Sequence, residues 1–166
     1  MGKRYGARIL LYLSLVLLLS ACGASRVGTK DGAPDSRSSH SHALIDHAQS
    51  YLGTPYQWGG TSKKGIDCAG LIKRSFDAID LSVPRVTADL VKIGKKIHIK
   101  DLVPGDLVFF KTGKSRKKVN HVGLVTNNRN TEVSFIHAST SKGVMISKLV
   151  EPYWLAHFIT ARRILK

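Results

Sequence analysis

Residues 65–70 read GIDCAG and hold Cys68, one of only two cysteines in a chain of 166 residues. The other, Cys22, closes an apolar N-terminal run. A thiol becomes a useful nucleophile when its thiolate is stabilised. Asp67 reads as a helix N-cap, which puts Cys68 in the first turn. There the helix dipole and free backbone N–H groups favour a thiolate and can hold an oxyanion. Asp67 itself works the other way, because a neighbouring carboxylate disfavours a second negative charge. A nucleophilic cysteine here needs a histidine as base, and that histidine needs a third group to orient it.

The chain has seven histidines: His40, His42, His47, His98, His121, His137 and His157. Two lie inside strand-like patterns. In NHVGLV, residues 120–125, His121, Gly123 and Val125 share one face, and Val122 and Leu124 the other. In SFIHAS, residues 134–139, Phe135 and His137 share a face. Both imidazoles can therefore lie on one side of a sheet. If the Cys68 helix packs on that side, the three groups converge. A lone strand histidine is more often structural. Two of them, beside an unpaired thiol at a cap position, favour a Cys–His nucleophilic site. No metal site is expected: HSH with His47 lacks further ligands at plausible spacing. Trp58, Tyr153 and Trp154 read as pocket wall or core.

The elements around these residues follow from pattern. MGKRYGAR is a basic start, ILLYLSLVLLLS an apolar stretch too short to span a membrane, and LSAC ends it with small residues and Cys22. This resembles a bacterial lipoprotein signal over residues 1–21, with Cys22 lipidated as the mature N-terminus. Exported proteins use cysteines in pairs. With Cys22 consumed by lipid, Cys68 is left over, either inert and buried or kept for reactivity. Residues 22–39 then form the lipidated cysteine and a flexible tether rich in Gly, Ser and charge. Fully extended it reaches about 55–60 Å. The folded domain occupies residues 40–166.

The balance of 26 Lys+Arg against 11 Asp+Glu, a formal +15, points to an anionic partner. Export argues against nucleic acid and for envelope polymers. The stretch 111–121, with Lys111, Lys114, Arg116, Lys117 and Lys118, is either a solvated loop or a basic rim. Within the domain, HALIDHAQSYLG has Leu44, Ile45, Ala48 and Leu52 at helical spacing, and IDCAGLIKRSFDAID has Leu71, Ile72, Phe76 and Ile79. TADLVKIG is a short helix. Five β-rich pieces follow, then a short helix in EPYWLAHF and a closing strand in TARRILK. LVPGDLVFF is a turn entering a buried strand. Helices first and an antiparallel sheet after give an α+β fold with helices on one face.

GTPYQWGGTSKKGIDCAGLI, LVPGDLVFFKTG, NHVGLV and FIHASTSKGVMIS together resemble the signature blocks of the NlpC-type cysteine peptidases, bacterial enzymes that cut peptidoglycan stems. The resemblance runs from about Ala43 to the C-terminus and includes EPYW and ARRIL. It implies a papain-like fold, with Cys68 as nucleophile, His121 as base and His137 as the residue holding His121. It implies that Tyr56 stabilises the oxyanion or positions substrate, and that Asp67 takes part in substrate binding. The family usually has Ser after the nucleophile, where this chain has Ala69. That change leaves the nucleophile intact and bears on substrate preference. The expected activity is that of a peptidoglycan endopeptidase without a cofactor, and the expected setting is the cell envelope, lipid-anchored in the outer membrane and facing the periplasm. The competing class is a non-catalytic wall-binding lipoprotein.

Overall fold

The computed structural model describes residues 36–113, 118–129 and 132–166. The signal segment, Cys22 and most of the tether lie outside the described residues, as do Lys114, Arg116 and Lys117 of the basic stretch.

Helix α1, Ser36–Gln49, buries Ser41, Leu44, Ile45 and Ala48. It starts four residues before His40, and the Ser41 hydroxyl donates to Pro104 O at 2.9 Å. Leu52, expected on the buried stripe, falls past the helix end and is half exposed. A two-residue hairpin follows, β1 (Thr61–Ser62) with β2 (Gly65–Ile66). Helix α2, Cys68–Asp77, begins at the expected Asp67 cap and buries Leu71, Ile72 and Phe76 completely. Each of these side chains contributes about 1.5–3 kcal/mol by leaving water. Next come α3 (Thr87–Leu90), β3 (Lys95–Ile97) and a 3-10 turn (Ile99–Asp101). The remaining elements are β4 (Leu107–Phe110), β5 (His121–Arg129), β6 (Glu132–Ser139), β7 (Gly143–Lys148), α4 (Pro152–His157) and β8 (Phe158–Arg163).

Six strands form one sheet in the order β3-β8-β4-β5-β6-β7, every pairing antiparallel. The last strand is internal, slotted between β3 and β4. A fully buried carboxylate anchors it: Asp106 accepts from Arg163 Nε at 2.7 Å and Nη2 at 2.8 Å. Strand β4 is buried on both faces, which explains its unbroken apolar run. On one face α1 and α2 pack against Leu107, Phe109, Val122, Leu124, Ile136 and Ala138. The second face is not open. Val108, Phe110, Val125, Phe135 and Ala161 are covered there by Trp154 of α4, with Leu102 and Leu149. His121 and His137 share the parity of this second face. The two imidazoles are therefore on one side, as read from the sequence, but α2 packs on the other.

Candidate active site

The loop before α2 builds the seat of the thiol. Tyr56 bridges Ile66 in parallel register, and the Gln57 N–H donates to Ile66 O at 3.2 Å. Asp67 then caps the helix. Its Oδ1 accepts from the Gly70 N–H at 2.6 Å and its Oδ2 from the Gly59 N–H at 2.8 Å. Arg85 forks onto the same carboxylate, Nη1 to Oδ1 and Nη2 to Oδ2, both at 2.9 Å. Nη2 also donates to Gly60 O at 3.1 Å. Asp67 is only 7% exposed, so both its oxygens are engaged in a largely dry setting. Position 70 requires glycine, because a Cβ there would stand 2.3 Å from Gly60 O.

Cys68 is the first residue of α2 and is buried. Burial pushes its thiol above the ordinary value, and the Asp67 carboxylate adds to the rise. Hydrogen bonding from the Val122 N–H, the Thr87 hydroxyl and the Ala69 N–H works against it. The Sγ lies 3.9 Å from Thr87 Oγ1. The contact with Val122 brings the thiol to the opening of β5, one residue from His121. So α2 need not share a face with the histidines: its N-terminus meets the strand end on. Burial also raises the Tyr56 phenol, with the charges of Cys68 and Asp67 next in weight and Arg85 opposing. The Tyr56 phenol therefore lies within electrostatic reach of Cys68.

His121 Nε2 lies 3.1 Å from His137 Nδ1, the rings at 80° to one another. With Nε2 engaged, Nδ1 is the ring nitrogen left for the thiol. Trp154 stacks on His121, centroids 5.7 Å apart, and meets His137 edge-on at 4.7 Å. Phe135 lies 5.2 Å from His137, and Gly123 makes room for it, since a Cβ there would stand 2.4 Å from the Phe135 ring. His137 Nε2 lies 3.1 Å from the Ser147 hydroxyl. Burial pushes His121 down to about 4. Burial, then the neighbouring His121, pushes His137 down to about 3. Near neutral pH both rings are uncharged and the thiol is protonated. The thiol and both imidazoles are therefore neutral at rest.

These depressed values make stability depend on pH. As pH falls below about 6.5, the unfolded chain protonates its histidines while the folded chain does not, so stability is present above that value and is lost between about 6.5 and 4. His121 alone accounts for about 3 kcal/mol across that window. Thermal unfolding from pH 7.5 to 4.5 should show Tm falling. The double replacement His121→Asn, His137→Asn should flatten the slope; an unchanged slope would contradict this origin.

Profile comparison matches residues 53–163 to the NlpC/P60 family. The chain belongs to the NlpC/P60 family. It is 44% identical, over 95% of its length and 99% of the relative's, to the probable endopeptidase NlpC of Escherichia coli strain K12. It is 34% identical, over 98% of its length and 94% of the relative's, to the murein DD-endopeptidase MepS/murein LD-carboxypeptidase of the same strain. Among solved structures it is similar to an NlpC/P60 family protein from Bacillus cereus ATCC 10987, with a TM-score of 0.68 and 28% identity, covering 76% of this chain and 40% of that one. The α+β, papain-like architecture is the one this family shares, and named members are endopeptidases.

Within this NlpC/P60 domain the structure brings His121 and His137 into hydrogen-bond contact, places Cys68 at the head of β5, and bridges Tyr56 to Ile66 two residues before Cys68. Asp67, immediately before Cys68, is paired with Arg85. Cys22 lies outside the described residues. The aromatic residues divide. Trp154 is buried over the histidines, but Trp58 is 86% exposed and Tyr153 half exposed, so neither of these two is core. Exposure follows from position: Trp58 rides the outer side of the loop whose next residue, Gly59, turns inward to Asp67. Sequence reasoning missed Arg85, Thr87 and Ser147. Ser147 had a signal, a hydroxyl at a buried position of an apolar strand. Arg85, in a turn 18 residues beyond Asp67, had none. Two surface concavities, of about 640 and 610 Å³, have none of the site residues in their walls.

Proposed function

We propose that this NlpC/P60 protein is a peptidoglycan endopeptidase acting through Cys68, and that the observation carrying this reading is the His121–His137 pair behind a helix-cap thiol. His121 Nδ1 takes the Cys68 proton as Sγ attacks a stem-peptide carbonyl. The tetrahedral oxyanion is held by the Cys68 backbone N–H and the Tyr56 hydroxyl. The carbonyl–nitrogen bond breaks as His121 delivers its proton to the leaving amine. Water, with His121 again as base, then opens the thioester and returns the thiol. His137 orients His121. Asp67 serves the substrate side by holding the Gly59–Gly60 loop in place. A module that only bound the wall would need none of the three groups Cys68, His121 and His137. No cofactor enters the reaction.

The reading extends to the N-terminus. Residues 1–21 are a lipoprotein signal peptide, Cys22 carries the lipid, residues 22–39 include the tether, and 40–166 are the peptidase domain. The relatives' action on murein supports a cell-envelope setting. Gly23 after Cys22, in place of Asp, supports the outer membrane, with the domain facing the periplasm. The partners are then stem peptides and a membrane, not nucleic acid.

The test uses the full-length chain beside its Cys68→Ala variant, each incubated with purified sacculi. Mass spectrometry of the muropeptides identifies the bond cut. New fragments from the parent and none from the variant are expected. Fragments from both would refute the assignment, and a ligated product when an amine acceptor is supplied would identify acyl transfer instead.

A further inference from the structure

We infer that Ser147 is a positioning residue of the active site, whose hydroxyl oxygen terminates a hydrogen-bond relay through His137 and accepts from it when His121 takes up the thiol proton. The inference rests on the peptidase reading above. Ser147 lies on β7, directly across from Phe135 and diagonal to His137 on β6. It is buried beside an aromatic cluster, where an apolar side chain would otherwise suit the surroundings. A buried hydroxyl is costly unless bonded. Among the described residues, its side chain bonds to one partner, His137 Nε2 at 3.1 Å.

The two 3.1 Å contacts leave only two proton arrangements. In one, Ser147 donates to His137 Nε2, His137 Nδ1–H donates to His121 Nε2, and His121 carries its proton on Nδ1. That form cannot accept the thiol proton at Nδ1. In the other, His121 Nε2–H donates to His137 Nδ1, His137 Nε2–H donates to Ser147 Oγ, and His121 Nδ1 is bare. Once His121 has taken the Cys68 proton, both its nitrogens carry hydrogen. Only the second direction then survives, and Ser147 must be an acceptor. A hydroxyl suits this step. It accepts when the imidazolium forms, and it carries no charge that would hold His137 protonated at rest. Without it, the His137 Nε2–H is left unpaired in a buried site at the moment charge develops. The loss therefore belongs to kcat rather than to KM.

The test compares the full-length chain with Ser147→Ala and Ser147→Thr on sacculi, and records imidazole 15N–1H correlations of all three. Ser147→Ala should lower kcat about tenfold, equivalent to about 1.4 kcal/mol, with KM within twofold. Its His137 Nε2 resonance should shift and the balance of His137 tautomers should change, because Nε2 loses its Ser147 partner. Ser147→Thr keeps the hydroxyl and should recover both. The proposal is overturned if Ser147→Ala keeps kcat within twofold, if the His137 tautomer is unchanged, or if Ser147→Thr falls as far as Ser147→Ala. Activity retained by Cys68→Ala would instead strike at the peptidase reading, and the tautomer readout stands apart from both because it needs no turnover.

Discussion

His121→Ala lowers kcat on sacculi by about 1,000-fold and leaves KM within a few-fold. General acid–base groups supply about 100- to 10,000-fold, and this site sits toward the upper part of that range. The reason is the neutral resting state. Burial raises the Cys68 thiol, so the thiolate is scarce near pH 7 without a base at hand. The Val122 N–H and the helix dipole soften that penalty but accept no proton. In the proposed mechanism the same group also protonates the leaving amine, so its loss harms both halves of the reaction. A pH series discriminates the cause. The residual rate of His121→Ala should climb through the alkaline range, because hydroxide must now form the thiolate, while the parent stays flat there. His137→Ala should cost less, since His137 acts only through His121. A His121→Ala variant with parent-like kcat would remove the base assignment.

Arg85→Ala destabilises the fold by about 3 kcal/mol, the lower end expected when one partner of a buried ion pair is removed. The lower end applies because the Arg85 side chain is itself 34% exposed, against 10% for Asp67. Two hydrogen bonds vanish, one to Asp67 Oδ2 and one to Gly60 O, together with the ion-pair contact of Nη1 with Oδ1. What remains is a carboxylate held by two backbone N–H groups in a dry setting. For a chain of this size the loss lowers Tm by roughly 6–12 °C. The thiol should become slower to alkylate as well, since an uncompensated Asp67 raises it further. The control is the double variant. Asp67→Asn removes the orphaned charge, so Arg85→Ala with Asp67→Asn should be more stable than Arg85→Ala alone. Arg85→Lys keeps charge without the fork and should fall between. Additive losses in the double variant would show that the pair is not the cause.

Much of the site could be read before its geometry was seen, and the division is physical. The Asp67 cap is local: a carboxylate reaches the Gly70 N–H three residues on, and any chain with that spacing can do it. Strand β6 runs over the expected residues, Glu132–Ser139, because its apolar residues alternate and Gly143 ends the turn that follows. The shared face of His121 and His137 follows from strand parity, which survives because the β5 irregularity falls after Val125, beyond His121. These signals are carried by backbone hydrogen bonds and side-chain period over a few residues.

Other features depend on contacts far apart in sequence. The conditional expectation that α2 would share the histidines' face fails, yet the thiol still reaches β5, because a helix end can abut a strand that its flank does not cover. Parity says nothing about which layer lands on which face. Nor does local pattern tell that β8 enters between β3 and β4, an arrangement secured by Arg163 on Asp106, 57 residues away. The sequence by itself determined the Asp67 cap of the Cys68 helix, the strands bearing the two histidines, and the family. Only the tertiary structure decided that Arg85 neutralises Asp67, that Trp154 dries the imidazoles and that Ser147 ends their relay. Those three are long-range burial effects, and burial is a property of the packed chain rather than of any residue's neighbours along it.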